Sequence, residues 1–144
     1  MPIVNFHLVA DRYVDAAIGR LLTDATHFYV ETLYPSVSPA PLDRVRAFVS
    51  LVQPQHWATS GVLVSDGGEP APYFTCLALS GRPEEQLHRL MAGFTNLLVK
   101  HLGCAPGLVR GQVISIDPVH WSIGGKPASE VRINEVGLRA DPPR

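Results

Sequence analysis

The stretch 45–61, VRAFVSLVQPQHWATSG, recurs sixty-four residues later as 109–125, VRGQVISIDPVHWSIGG. Val45-Arg46 falls on Val109-Arg110 and Val49 on Val113. Pro54-x-His56-Trp57 falls on Pro118-x-His120-Trp121, and Gly61 on Gly125. Upstream of each copy a second correspondence holds at an offset of seventy: Pro2 on Pro72, Asp11-Arg12 on Gly81-Arg82, Asp15 on Glu85. A repeat that keeps Arg, Val, His, Trp and Gly in register is the duplication of one supersecondary unit. The two offsets differ by six, so the first half carries an insertion, and the proline-rich stretch 35–42 (PSVSPAPL) is where it falls.

Each half reads as β-α-β. In the first, 3–9 is a β-rich run ended by Asp11-Arg12, and 13–33 carries a helical stripe of Val14, Ala17, Ile18, Leu21, Leu22, Ala25, Phe28, Tyr29 and Leu33. Residues 35–42 are a linker, 43–53 a second strand, 54–61 a turn holding Trp57, 62–64 a short strand and 65–72 a Gly/Pro loop. In the second, 73–79 is a strand. Pro83 suits the first helical position, with Glu84 and Glu85 complementing the dipole. Leu87, Leu90, Met91, Phe94, Leu97, Leu98 and Leu102 form the helical stripe, and Gly103 closes the helix as a C-cap. A strand over 108–117 and a turn over 118–125 follow. The last twenty residues read as a peripheral hairpin or tail, with a loose DPPR end. A helical crossover makes the two strands of each half parallel and right-handed. The expectation is one α/β (α+β) domain over 1–144, with repeat 1 at about 1–70 and repeat 2 at about 71–144. Its four-stranded sheet carries both helices on one face. The strands are apolar on both faces (Ile114 and Ile116 against Val109 and Val113), so the bare face is expected to meet another subunit.

Composition bounds the function. The chain has 144 residues, 46% hydrophobic and 17% charged, enough for a packed core. Twelve Lys+Arg against thirteen Asp+Glu give a net charge of -1, which argues against a nucleic-acid binder. No apolar run has membrane-spanning length, and no secretory leader opens the chain. Cys76 and Cys104 form no CxxC and have no histidine at ligand spacing. No metal site, no disulfide and a reducing cytoplasm are expected.

The chain opens Met1-Pro2. A small second residue permits removal of the initiator methionine, which leaves proline with a free secondary amine. An α-amino group titrates at about 7.7–8.0. Burial and nearby arginines both disfavour its charged form, so at neutral pH it becomes a general base. The alternative is that proline after methionine is commonplace. If Met1 stays, Pro2 is an amide and the chain reads as a non-catalytic trimeric binding protein.

The opening PIVNFHLVADR (2–12) resembles the start of 4-oxalocrotonate tautomerase (4-OT), and HWSIGGKPASEVR (120–132) resembles its C-terminal hairpin. With the β-α-β duplication, the chain resembles the fused, double-length members of the tautomerase superfamily, among them malonate semialdehyde decarboxylase and the cis-3-chloroacrylic acid dehalogenases. The resemblance implies a tautomerase/MIF-like fold assembled as a homotrimer. It implies an amino-terminal proline as the catalytic group, no cofactor, and a small carboxylate substrate bound by arginines. Arg12 and its counterpart Arg82 fall on the arginine after the first strand, Arg46 and Arg110 on that of the second, and Trp57 and Trp121 on the pocket aromatic. Asp43 looks like the aspartate of the decarboxylase branch. That branch carries two close arginines where Ser80-Gly81-Arg82 offers one, which weakens decarboxylation. Pro72 lies inside the chain and has no amine, so a trimer holds three sites.

The expected site is therefore Pro2 and Asp43 as catalytic groups, with Arg82, Arg12, Arg110 and Trp121 binding substrate. Each has a plainer alternative. Arg12 and Arg82 would make surface salt bridges or helix starts. Only one of Arg46 and Arg110 would serve Pro2. Asp43 would cap a strand or pair with Arg44. The tryptophans would anchor core or interface, His27 would sit on a helix surface, and His56 and His120 would recur as architecture. The expected activity is keto-enol proton transfer on a small oxo or enol acid. Hydration, dehalogenation or decarboxylation of a three-carbon acid is the alternative.

Overall fold

The computed structural model of the chain describes residues 2–133. Its strands and main helices, in chain order, are β1 (Ile3–Val9), α1 (Asp15–Leu33), β2 (Arg46–Val52), β3 (Ala58–Thr59), β4 (Val62–Leu63), β5 (Tyr73–Leu79), α2 (Glu84–Leu102), β6 (Arg110–Ile116), β7 (Ser122–Ile123), β8 (Lys126–Pro127) and α3 (Ala128–Val131). The four long strands form one sheet in the order β2-β1-β5-β6. β1 pairs β2 in parallel and β5 pairs β6 in parallel, each through a helical crossover. The halves join antiparallel, with Ile3 opposite Leu77 and His7 opposite Tyr73.

The duplication holds at atomic detail. The Arg46 N–H donates to the Pro2 carbonyl at 3.1 Å, and the Arg110 N–H to the Pro72 carbonyl at 3.1 Å. The Val64 N–H donates to Trp57 at 2.9 Å, and the Ala128 N–H to Trp121 at 2.8 Å, so each half closes its own small hairpin in the same way. Both hairpin turns need two successive left-handed residues: Ser60-Gly61 at φ 53° and 78°, and Gly124-Gly125 at 60° and 86°. That is why glycine recurs there.

Two sequence-based boundaries shift. The strands expected over 43–53 and 108–117 begin only at Arg46 and Arg110. Before them, Leu42–Arg44 and Pro106–Leu108 wind as single 3₁₀ turns. A strand needs a paired neighbour, and β1 and β5 offer none upstream of Pro2 and Pro72. Pro83 sits one residue outside α2 as its N-cap rather than at the first helical position. Gly103 caps the helix in the left-handed region at φ 72°. Five of the six extra first-half residues lie where α1 passes to β2 (34–45, against 103–109). The sixth is in the β1–α1 turn (10–14, against 80–83). Of the last twenty residues, the hairpin and α3 are described, and the DPPR end lies outside the described residues.

Both helices pack on one face of the sheet. Val4, Phe6 and Leu8 of β1 and Phe74, Cys76 and Ala78 of β5 point to them and are buried. Leu21, Ala25 and Tyr29 of α1 correspond through the duplication to Leu90, Phe94 and Leu98 of α2, and all six are fully buried. Phe94 is the hub, with ring centroids 5.0 Å from Tyr29, 5.2 Å from Phe28, 5.7 Å from Phe74 and 5.9 Å from Phe6. Gly93 lets Phe28 lie against α2: a Cβ there would stand 1.9 Å from the ring. The open face mixes apolar Ile3, Phe48 and Ile114 with polar side chains. Ser50 Oγ donates to Asn5 Oδ1 at 3.1 Å, and His7 stacks on Tyr73 at 5.2 Å. Phe94→Ala removes the ring that both strands and both helices share. It is expected to lower the unfolding free energy by about 3–5 kcal/mol, read from urea denaturation.

Candidate active site

The antiparallel join decides what surrounds Pro2. β6 runs alongside β5, so its end, and the hairpin that follows, arrive at the start of β1 and β2. Pro2 is buried. Beside it opens a cavity of about 360 Å³ whose walls come from both halves: Ile3, Asp43, Arg44 and Arg46 from the first, Trp121 and Arg132 from the second. Trp121 is half-buried there, carried by the β7–β8 hairpin, and Ser122 to Gly124 complete that side. Three guanidinium groups and one carboxylate therefore line one cleft. Arginine's planar fork matches a carboxylate in two parallel hydrogen bonds, so the lining suits a small organic acid.

Each arginine is positioned by local structure. Arg46 Nη1 donates to the carbonyls of Asp43 at 2.7 Å and Val45 at 3.0 Å, which folds the side chain back over the 3₁₀ turn. The Arg44 guanidinium lies 5.0 Å from the centre of the Tyr34 ring, and Arg82 lies 4.8 Å from it. Arg82 Nη1 also donates to the Leu33 carbonyl at 2.6 Å, holding the end of α1. Arg82 thus borders the Pro2 end of the sheet but works on Tyr34 and the helix terminus, and it does not line the cleft.

Arg12 and Arg110 lie elsewhere. Arg12 follows the far end of β1, roughly 20 Å from Pro2 at about 3.3 Å per residue. Arg110 lines a second cavity of about 440 Å³ with Trp57, Pro72 and Tyr73. Within one chain Asp43 and Trp121 line the cleft beside Ile3, Pro2 is buried next to it and is not among its lining residues, and Arg12 and Arg110 stand at the Pro72 end. The sequence reading gave no site role to Arg44 and Arg132. Arg132 closes the stretch that resembles a tautomerase hairpin, and Arg44 breaks the repeat, which is the signal that would have found it.

The second cavity is an internal control. At the offset of sixty-four, Arg46 is matched by Arg110 and Trp121 by Trp57, but Asp43 is matched by Gly107 and Arg44 by Leu108. Among the described residues lining that cavity, Arg110 is the one charged group. The common architecture is kept at both ends, and the carboxylate with its extra guanidinium groups stands at one. The thiols belong to neither cleft. Burial pushes Cys76 up to about 12, and its Sγ lies 3.7 Å from the Gln112 carbonyl. Burial also raises Cys104. Among the described residues no cluster of His, Cys, Asp and Glu is arranged to hold a metal ion, and no helix is long and apolar enough to cross a membrane.

No family model matches the sequence, and no curated protein matches it. Solved structures match over nearly the whole chain. A native fused 4-OT superposes with a TM-score of 0.79 at 23% identity, covering 90% of this chain and 98% of the other. A protein solved after inactivation by 2-oxo-3-pentynoate gives 0.78 at 20% identity with the same coverage. Macrophage migration inhibitory factor from Toxoplasma gondii gives 0.69 at 17%, covering 87% and 98%. This chain has the mixed four-stranded, two-helix fold of the fused, double-length tautomerases.

Proposed function

We propose that the chain is a cofactor-independent tautomerase. Removal of Met1 frees Pro2, whose nitrogen is the general base for keto-enol proton transfer on a small oxo or enol carboxylic acid. The observation that carries this reading is the asymmetry of the duplication. Both ends keep a buried proline, a strand arginine and a hairpin tryptophan, yet Asp43, Arg44 and Arg132 gather only where the proline is able to become a terminus. Pro72 is always an amide.

The mechanism follows from the groups in place. The substrate carboxylate sits on the guanidinium cluster. The neutral Pro2 nitrogen takes the enol O–H proton, the oxygen electrons form the carbonyl, and the C=C electron pair takes the proton back from the prolinium at carbon. The same arginines stabilise the oxyanion that develops between the two transfers. Trp121 narrows access of water, which strengthens those charges. Burial of Pro2 and the positive lining both favour its neutral form. Arg82 is a positioning residue through Tyr34 and Arg44. Arg12 and Arg110 reach a Pro2 cleft only from a neighbouring protomer. The solved structures of fused 4-OT are named as trimers, and the open sheet face, with Phe48 and Ile114 exposed, supports a homotrimer.

A second reading rests on Asp43. A carboxylate in the Pro2 cleft, replaced by glycine at the other end, suits activation of water for hydration of a three-carbon acid, with Pro2 protonated. The two readings have opposite pH dependence. A base works once it has lost its proton, so tautomerase activity rises as pH climbs through the amine pKa. A hydratase falls over the same interval.

These outcomes are expected. The protein ketonises phenylpyruvate-type enols. Intact mass shows loss of Met1, and incubation with 2-oxo-3-pentynoate adds one equivalent at Pro2. Pro2→Ala loses at least about a hundredfold in rate. Retained methionine or equal rates overturn the proposal. Arg44→Leu, which copies the residue at the silent end, is expected to lower kcat/KM by roughly ten- to a hundredfold, as befits a charge-assisted contact of about 1.5–3 kcal/mol. The rate between pH 6 and 9 is expected to rise, and a fall there selects the hydratase reading.

A further inference from the structure

The insertion does more than lengthen a loop. Residues 37–41 wall a third cavity, of about 610 Å³, that opens beside the Pro2 cleft. Val37, Pro39 and Pro41 form one side, and Val131 and Ile133 at the end of α3 form the other. Asp43, Arg44 and Arg132 line both cavities, so the two spaces meet along the guanidinium cluster. Val37, Val131 and Ile133 are 44%, 45% and 66% exposed. Three large apolar side chains left open around one hollow mark a binding surface.

The other end again provides the contrast. There the shorter connection 103–109 borders a corresponding space that shares Ala71 and Leu108 with the Pro72 cavity. It is about 300 Å³, half the size, and among the described residues its one charged lining group is Glu69. Both spaces have apolar walls, with Leu102, Ala105 and Leu108 at the Pro72 end, while enlargement and arginines at the junction occur together at the Pro2 end.

We infer that this annex receives the apolar chain of the substrate. The cleft then acts on 2-oxo or enol monocarboxylates with an extended alkyl or ring substituent, in preference to three-carbon acids and dicarboxylates. The inference rests on the tautomerase reading and narrows its substrate. A carboxylate held on Arg44 and Arg132 leaves the chain free to lie between Val37 and Ile133. Each methylene moved out of water there favours binding. A second carboxylate carried past the arginines would lose its water against Val37, Val131 and Ile133.

The test is exchange of the C3 protons of 2-oxo acids in deuterium oxide, followed by NMR with the Met1-processed protein. The series is 2-oxobutanoate, 2-oxohexanoate, 2-oxooctanoate and 2-oxoglutarate. The kcat/KM is expected to climb roughly two- to fourfold per added methylene, with 2-oxoglutarate no better than 2-oxobutanoate. Val37→Asp and, separately, Val131→Asp are expected to lower the octanoate-to-butanoate ratio by about tenfold. A ratio is read within one protein, so partial loss of folded material does not move it. A series flat in length, a preference for 2-oxoglutarate, or wild-type ratios in both variants overturns the annex and leaves the tautomerase reading standing. No exchange with any of the acids overturns the tautomerase reading and the annex with it.

Discussion

The antiparallel pairing of β1 with β5 is the constraint on which the molecule depends. Each half alone is two parallel strands and a helix, with too little surface to bury its own apolar stripe. Joined head to tail, the halves make one sheet and one core. Tyr29 shows how tightly the join is read from the helix side. Its hydroxyl lies 2.5 Å from the Leu77 carbonyl and 3.3 Å from that of Ile3, two residues directly opposed across the join. Burial raises the pKa of that phenol, so it stays a neutral donor. The same join carries the hairpin of each half to the strand starts of the other. Trp121 therefore faces Ile3, and Trp57 faces Tyr73.

A duplicated fold shows which residues the architecture requires and which it does not. The hairpin glycines, the strand arginines folded onto their own 3₁₀ turns and the proline carbonyls that start each strand pair are present twice. Arg110 Nη1 donates to Gly107 at 2.7 Å and Val109 at 3.1 Å, the same arrangement that Arg46 makes in the first half. Those features serve backbone geometry. Asp43, Arg44 and the long connection 34–45 have no such duty, since Gly107, Leu108 and a seven-residue connection do the same structural work. These charges, which the backbone does not require, are the ones on which the proposed site rests.

Much of this was legible in the chain before any coordinates. The β-rich runs 3–9 and 73–79 reported strands, and the 3.6-residue stripes reported both helices, because residue type and periodicity express local geometry. Strand starts were less legible. Asp43 to Val45 have the composition of a strand but no partner to pair with. The arginines were legible least. Equal spacing put Arg46 and Arg110 on the same motif position, the expectation fell on Arg110, and an exposed guanidinium has no periodicity that reveals its destination.

By itself the sequence determined the duplication, the two β-α-β units and the asymmetric insertion, all of which are counted along the chain. Only the tertiary structure decided that Arg44, Arg46 and Arg132 stand with Pro2 while Arg12 and Arg110 stand with Pro72. Residues 3 and 132 line one cleft because two strands run in opposite directions. That choice is made by packing one half's apolar face against the other's, and no local pattern in either half encodes it.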